Sequence, residues 1–170
     1  MGPLWARALG YMLIVGGVHF IGLPALLLTI EDGTAPSIVL RAGLAGCLGA
    51  LLVILGTNLA LLSAIYLILQ GHGTPFPLEP TRILVRSGPY RYVRNPQAVA
   101  ATLIVAGECL LLQSHLIWLL LPATVVYLEL LAAPIEDRQL RHQFGSEYLA
   151  YRQGVPRWLP RRRAGSNSGD

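Results

Sequence analysis

GHGTPFPLEPTRILVRSGPYRYVRNP, residues 71–96, is the stretch from which the rest of the chain is read. It carries four arginines and five prolines and is framed by long apolar runs on both sides. Upstream the apolar segments cover about 8–30 and 38–70; downstream they cover about 97–112 and 116–133. The longer runs exceed the roughly 20 residues needed to cross about 30 Å of hydrocarbon. After the last run comes a second charged stretch, PIEDRQLRHQFGSEYLAYRQGVPRWLPR (134–161). A polar island and a polar tail, separated by two apolar segments, predict two remote pieces of chain meeting at one membrane face.

The composition agrees. The chain is 54% hydrophobic and 13% charged, with a mean hydropathy of +0.54, which points to an integral membrane protein rather than a soluble domain. The net charge of +4 comes entirely from arginine, thirteen of them against nine acids, with no lysine. Those arginines concentrate in the island and tail, where a membrane protein carries cytoplasmic charge. Aromatic stacking platforms on a soluble sheet are absent, so no nucleic-acid partner is expected. Cys47 and Cys109 fall in separate apolar segments without CxxC spacing and read as small buried fillers, so neither a metal nor a disulfide is expected. The first apolar run is long for a signal peptide and ends in Glu31-Asp32-Gly33 instead of a small-residue cleavage site.

Taken in order, the segments predict an all-α fold, a bundle of four transmembrane helices with a cytoplasmic interfacial helix at its C-terminal end. Segment two is over thirty residues long and reads as one tilted or extended helix rather than two helices broken near Gly56-Thr57-Asn58. Ala42, Gly46, Gly49 and Gly56 mark a face where another helix comes close. The third and fourth segments are joined only by Gln113-Ser114-His115, which requires an antiparallel hairpin, and Pro122 is placed to kink the fourth. Four crossings put both termini and the island on one side. Arg7, the island and the tail carry the arginines there, whereas loop 31–36 and turn 113–115 carry none, so that side is cytoplasmic. In the tail, Leu140, Phe144, Tyr148, Tyr151 and Val155 recur at helical spacing opposite Arg138, Arg141, Glu147 and Arg152. Gly145-Ser146 interrupts this helix as a glycine stop followed by a serine cap, and Trp158 sits at headgroup level. Residues 1–161 form one domain and 162–170 a disordered tail.

Several motifs then align in order. Gly71-His72-Gly73-Thr74-Pro75, Leu84-Val85, Gly88-Pro89-Tyr90-Arg91 and Arg94-Asn95-Pro96 are followed by Glu136-Asp137, Leu140, Phe144-Gly145, Tyr148, Tyr151 and Val155-Pro156-Arg157. Over about residues 42–161 this order resembles the isoprenylcysteine carboxyl methyltransferase and phospholipid methyltransferase superfamily. The resemblance implies S-adenosylmethionine as methyl donor, bound at the cytoplasmic face between island and tail. It places the GxG cofactor motif on Gly71 and Gly73, the acidic pair on Glu136 and Asp137, and the Arg-His-Pro-type motif on Arg94, Asn95 and Pro96. The sequence departs from the family pattern at Ala98, where an aromatic is frequent, and at Asp137, where a glutamate is usual.

Read as residues, the same positions have physical reasons and plain alternatives. Gly71 and Gly73 let backbone approach a ligand, or simply end a helix. Glu136 can pair with the cofactor ammonium, and Arg91 or Arg94 can hold its carboxylate bidentately, unless these arginines contact lipid phosphate. Tyr90 or Tyr92 can stack on adenine or belong to the aromatic belt. With His72, Tyr90, Arg91, Asn95, Pro96 and Asp137 around them, Arg94 and Glu136 are the expected catalytic pair. His72 and His142 are candidate bases for an amine or thiol acceptor, or surface residues. His19, Asn58, Glu108 and Glu129 are costly inside spans. Counting about 1.5 Å per residue from each cytoplasmic end puts His19, Asn58 and Glu108 at one depth, which predicts a polar layer with Glu108 accepting from Asn58 or His19. A lipophilic acceptor entering from the bilayer follows from the resemblance, an oxygen or carboxyl acceptor ahead of a phospholipid nitrogen. An NADPH-dependent sterol-reductase-like enzyme and a non-catalytic membrane scaffold are the alternatives.

Overall fold

A computed structural model of the chain describes residues 3–32, 43–74 and 80–159. The expected start of segment two at residue 38, Pro75 of the GxG stretch, and the expected disordered tail 162–170 lie outside them. Among the described residues the fold is helical, with no strand. In order come α1 (Leu4–Gly17), α2 (Leu23–Asp32), α3 (Leu44–Leu69), α4 (Pro96–Leu112), α5 (His115–Tyr127) and α6 (Ala133–Gly154), with a short helix Gly88–Arg91 in the island. Three helical stretches are long and apolar enough to cross a membrane: Leu4–Glu31, Leu44–Leu69 and His115–Gly154. Helix α4 is apolar too, at 17 residues.

Two of the long stretches are pairs of helices fused through a widened turn. The N–H of Leu23 bonds the Val18 carbonyl, and that of Ala133 bonds the Leu128 carbonyl, each five residues back. A proline follows at once in both cases, Pro24 and Pro134. Proline lacks an N–H and crowds the carbonyl four residues before it, and a widened turn gives that carbonyl room. The helix therefore does not stop at Ala133. It carries the chain out of its apolar run into α6, whose first turns bear Glu136, Asp137, Arg138 and Arg141. The break comes later, at Gly145 (φ 52°, ψ −125°), where the sequence placed it.

Helix α3 runs unbroken through Gly56-Thr57-Asn58. It packs antiparallel to α4 along its small residues: Gly46, Gly49 and Gly56 are buried. A Cβ on Gly49 would lie 2.7 Å from the Gly107 carbonyl oxygen, and one on Gly56 2.8 Å from that of Ala100. Backbones this close leave no room for a side chain between them, which is how helices associate where apolar burial gives no driving force. Cys109 is buried as expected, but Cys47 faces outward from α3, so its reading as a core filler is corrected.

The ends of the bundle are tied separately. At one end Glu31 accepts from the Ser114 hydroxyl and from the His115 N–H (3.2 Å), while Ser114 caps α5 by accepting from Ile117 N–H. Leu28, Val105, Cys109 and Ile117 form the buried cluster beneath this contact. At the other end Gln97, second residue of α4, donates to the Ala60 carbonyl (3.1 Å). Helix α3 thus continues nine residues past that contact, from Ala60 to Leu69, or about 14 Å beyond the start of α4.

That offset overturns the polar layer. Depths counted from each helix end assumed a common starting plane, and α3 and α4 do not share one. Glu108 lies beside the Gly49 level of α3, whereas Asn58 lies about two and a half turns away and donates to the Ile54 carbonyl of its own helix (2.8 Å). His19 makes an edge contact with Phe20 (4.9 Å). Glu108 is 8% exposed and its Oε2 has no hydrogen-bond partner.

The glycine seam yields a direct expectation. Gly49→Val should destabilise the protein by about 2 kcal/mol or more, because the clash falls on backbone. Gly17→Ala, with nothing within 4 Å of the added carbon, should be neutral or slightly stabilising. Thermal unfolding of both variants in detergent checks the contrast.

Candidate functional site

The island begins by folding back across the end of α3. The N–H groups of Arg82 and Ile83 bond the Gly71 carbonyl at 2.7 and 3.2 Å. A Cβ on Gly73 would sit 2.5 Å from Thr81 Cα. The close approach that the glycines permit is therefore to the chain's own returning segment. His72 between them has φ 51° and is exposed. Thr81 then reaches α6, its carbonyl accepting from Gln143 Nε2 at 2.5 Å.

Further along, island and tail interlock. The Arg94 N–H donates to the Pro156 carbonyl at 2.8 Å, and the Tyr151 hydroxyl donates to the Tyr90 carbonyl at 2.7 Å. Tyr148 and Tyr151 are buried here, so part of the apolar face of α6 packs on protein. Trp158 Nε1 donates to Glu129 and Arg157 pairs with the same carboxylate at 3.0 Å, which accounts for an acid at the end of the fourth apolar segment.

Asp137 is the charge centre of this interface. Its carboxylate faces Arg94 at 3.4 Å, Arg157 at 3.1 Å and Arg152 at 3.6 Å, and it accepts from the Tyr148 hydroxyl. Tyr148 in turn accepts from Arg94 Nη1 at 3.2 Å. Burial, then the hydrogen bond to Asp137, pushes the Tyr148 phenol up to about 12, so it stays a donor at neutral pH. One carboxylate against three guanidinium groups is an exchange of charge for charge, stronger for being largely withdrawn from water.

Glu136, its neighbour, is held differently. Asn95 Nδ2 donates to Glu136 Oε2 at 2.7 Å, while Asn95 Oδ1 caps α4 by accepting from the Ala98 N–H at 2.9 Å. Pro96 is buried at the first position of α4, where its missing N–H costs nothing. Burial, and secondarily the Asp137 charge, raises the Glu136 carboxyl to about 7 against the opposing pull of Arg157 and Arg94. A carboxyl balanced near neutrality and short of a cation is a feature of binding and catalytic sites.

Two clefts flank this core. One of about 540 Å³ is lined by Pro80, Arg138, Gln139, His142 and Gln143, the other of about 210 Å³ by Arg86, Arg91, Ala150, Tyr151, Gly154 and Val155. Tyr90 is buried rather than presented for stacking, and Arg91 lies on a cleft rim. The structure thus gathers Arg94, Asn95, Pro96, Glu136 and Asp137 at one place. Gly71, His72 and Gly73 lie one segment away, across Thr81. Arg94 is committed to Asp137 and Tyr148, yet its Nε is buried without a partner. Tyr148, Arg152 and Arg157 were not read as partners of Asp137. Their signal was the break at Gly145: in an unbroken helix three or four turns would keep Tyr148 and Arg152 from Asp137, and the turn at Gly145 is what lets the chain after it come back to that carboxylate.

Comparison with known proteins adds a family. Residues 44–147, more than half of the chain, match the model for phospholipid methyltransferase. No curated protein matches the chain. The matched region holds α3, the island, α4, α5 and the acidic pair, and stops just before Tyr148.

Asp137→Asn should leave Arg94 and Arg152 without their counter-charge, Arg157 keeping Glu129, and destabilise the protein by about 3 kcal/mol. Trypsin should then cut at Arg152 and Arg157 much faster than in the wild type, a change that limited proteolysis of the purified protein would read.

Proposed function

Since the chain belongs to the phospholipid methyltransferase family, we propose that it is a membrane-embedded methyltransferase that uses S-adenosylmethionine on a lipophilic acceptor. The observation that carries this reading is the pairing of Glu136 with Asn95 beside Arg94 and Asp137, built from two stretches far apart in sequence. The chain crosses the bilayer four times, with island, tail and both termini in the cytoplasm. Support comes from the two tied ends, Glu31 with Ser114 and His115 at one, Arg94 with Asp137 at the other. Arginine concentrates at the second end, with Arg41 the exception by its place in the sequence.

The residues present suit such a cofactor. When bound, S-adenosylmethionine supplies an electrophilic methyl on a sulfonium. Glu136 would offer its carboxylate to the ammonium, whose charge would offset the burial and the Asp137 charge that raise its pKa. The orphaned Nε of Arg94 would meet the cofactor carboxylate. Asp137 and Tyr148 hold the Arg94 guanidinium in place and act through it. The buried tyrosines Tyr90, Tyr148 and Tyr151 keep water from the floor of the site. Positioning and desolvation by these groups are the protein's contribution to an in-line displacement. A carboxylate acceptor needs no general base; an amine acceptor does, and with Glu136 engaged by the ammonium that role falls to His72 or His142.

Isothermal titration of the protein in lipid nanodiscs with S-adenosylhomocysteine and with NADPH tests the reading. Binding of the first alone is expected; binding of NADPH alone indicates the reductase alternative, and binding of neither a scaffold. S-adenosylhomocysteine affinity should rise between pH 6 and 8 as Glu136 ionises, then level off. Glu136→Gln should flatten that profile and weaken binding at pH 8 by about tenfold or more. Incubation of membranes with labelled methyl donor then separates acceptors, because a methyl ester is released by base and an N-methyl group is not.

A further inference from the structure

We propose that Asn95 is a positioning residue, which fixes the orientation of the Glu136 carboxyl by anchoring it to the first turn of α4. This inference rests on the methyltransferase reading for its purpose, though the geometry stands without it. The amide of Asn95 has no freedom to turn over. Its Oδ1 accepts from the Ala98 N–H, and a backbone N–H can only donate. The NH₂ end is therefore obliged to face Glu136 Oε2, where it donates at 2.7 Å. The cap thus dictates the partner: one side chain ends a helix and presents a fixed donor to an acid on another helix.

The chemistry of that contact follows. A neutral donor holds Oε2 without neutralising the charge, leaving the Oε1 side of the carboxyl to receive a ligand cation. Pro96 supplies no N–H at the next position, so the cap and the donor are the polar groups that the start of α4 sends toward Glu136 and Ala98. A donor to a carboxylate favours its ionised form, so Asn95 counters the burial that raises Glu136. The charged and titratable groups facing Glu136 are Asp137 on its own helix, Arg94 and Tyr90 from the island, and Tyr151 and Arg157 from the tail. Among the described residues it is Asn95 that hydrogen-bonds Oε2, at 2.7 Å.

Two substitutions separate positioning from capping. Asn95→Ser and Asn95→Asp both keep an oxygen that caps α4, and both lose the amide N–H that reaches Glu136, the serine hydroxyl being too short to span cap and acid together. The first readout needs no cofactor: thermal unfolding of the full-length protein in nanodiscs from pH 4 to 9. In the wild type the folded carboxyl titrates near 7, above its unfolded value of about 4.5, so its contribution to stability is complete below pH 4.5 and is lost as pH rises toward 7. Losing the donor should move the upper end of that loss higher by about one pH unit in Asn95→Ser, and further in Asn95→Asp, where a second carboxylate faces Glu136. In a Glu136→Gln background neither substitution should move it. A uniform drop in stability at every pH, or a shift that persists in Glu136→Gln, overturns the inference and leaves Asn95 a helix cap only. The second readout is S-adenosylhomocysteine binding, expected to weaken about tenfold in both single variants at pH 7.5. A wild type that binds none of it overturns the methyltransferase reading, while the pH shift still decides the role of Asn95.

Discussion

One carboxylate holds the two halves of this molecule's charged end together. Asp137 draws Arg94 from the island, Arg152 from the far side of the Gly145 break and Arg157 from beyond the helix, with Tyr148 closing the ring. The three arginines come from different local structures, so the network forms only when all of them are in place. Opposite charges at low exposure interact strongly and tolerate poorly the loss of a member. The backbone bond from Arg94 to Pro156 and the Tyr151–Tyr90 bond add directionality to that attraction. Glu136 is then left as the acid not consumed by structure, and this division of labour between adjacent carboxyls is what makes a site out of a salt-bridge cluster.

The apolar part of the chain serves to bring those stretches within reach. Glycine seams between α3 and α4 fix the two helices at backbone contact and set them out of register, so that α3 overshoots the start of α4. The overshoot leaves a ledge on which the island folds back, with Gly71 and Gly73 pressed against Thr81. Helix α5 returns the chain to the same end, and the widened turn before Pro134 lets it continue straight into the acidic pair. Glu136 and Asp137 are thus mounted on a continuous helix rather than on a loop, which limits how far they can move.

Much of this was legible in the sequence because it was written in composition and punctuation. Apolar runs gave the helices, the short Gln113-Ser114-His115 link gave the hairpin, and Gly145 gave the break. The motif order brought Arg94, Asn95 and Glu136 together correctly. Three things were not legible, each for a physical reason. Helix offset depends on where small residues face one another, not on distance from a helix end, and so the His19–Asn58–Glu108 layer did not form. A proline at the end of an apolar run does not announce that the helix continues, yet a widened turn lets it pass Pro134. Long arginines reach several partners, and only coordinates show that Arg94 turns to Asp137 and Tyr148 in place of an open ligand clamp.

The central claim is that island and tail together form one ligand-binding unit. Hydrogen exchange of the protein in nanodiscs, with and without S-adenosylhomocysteine, tests it directly. The account predicts that amides in 81–96 and in 134–158 gain protection together when the ligand is added, and that NADPH leaves both unchanged. Protection confined to one of the two stretches, or absent from both, would contradict it.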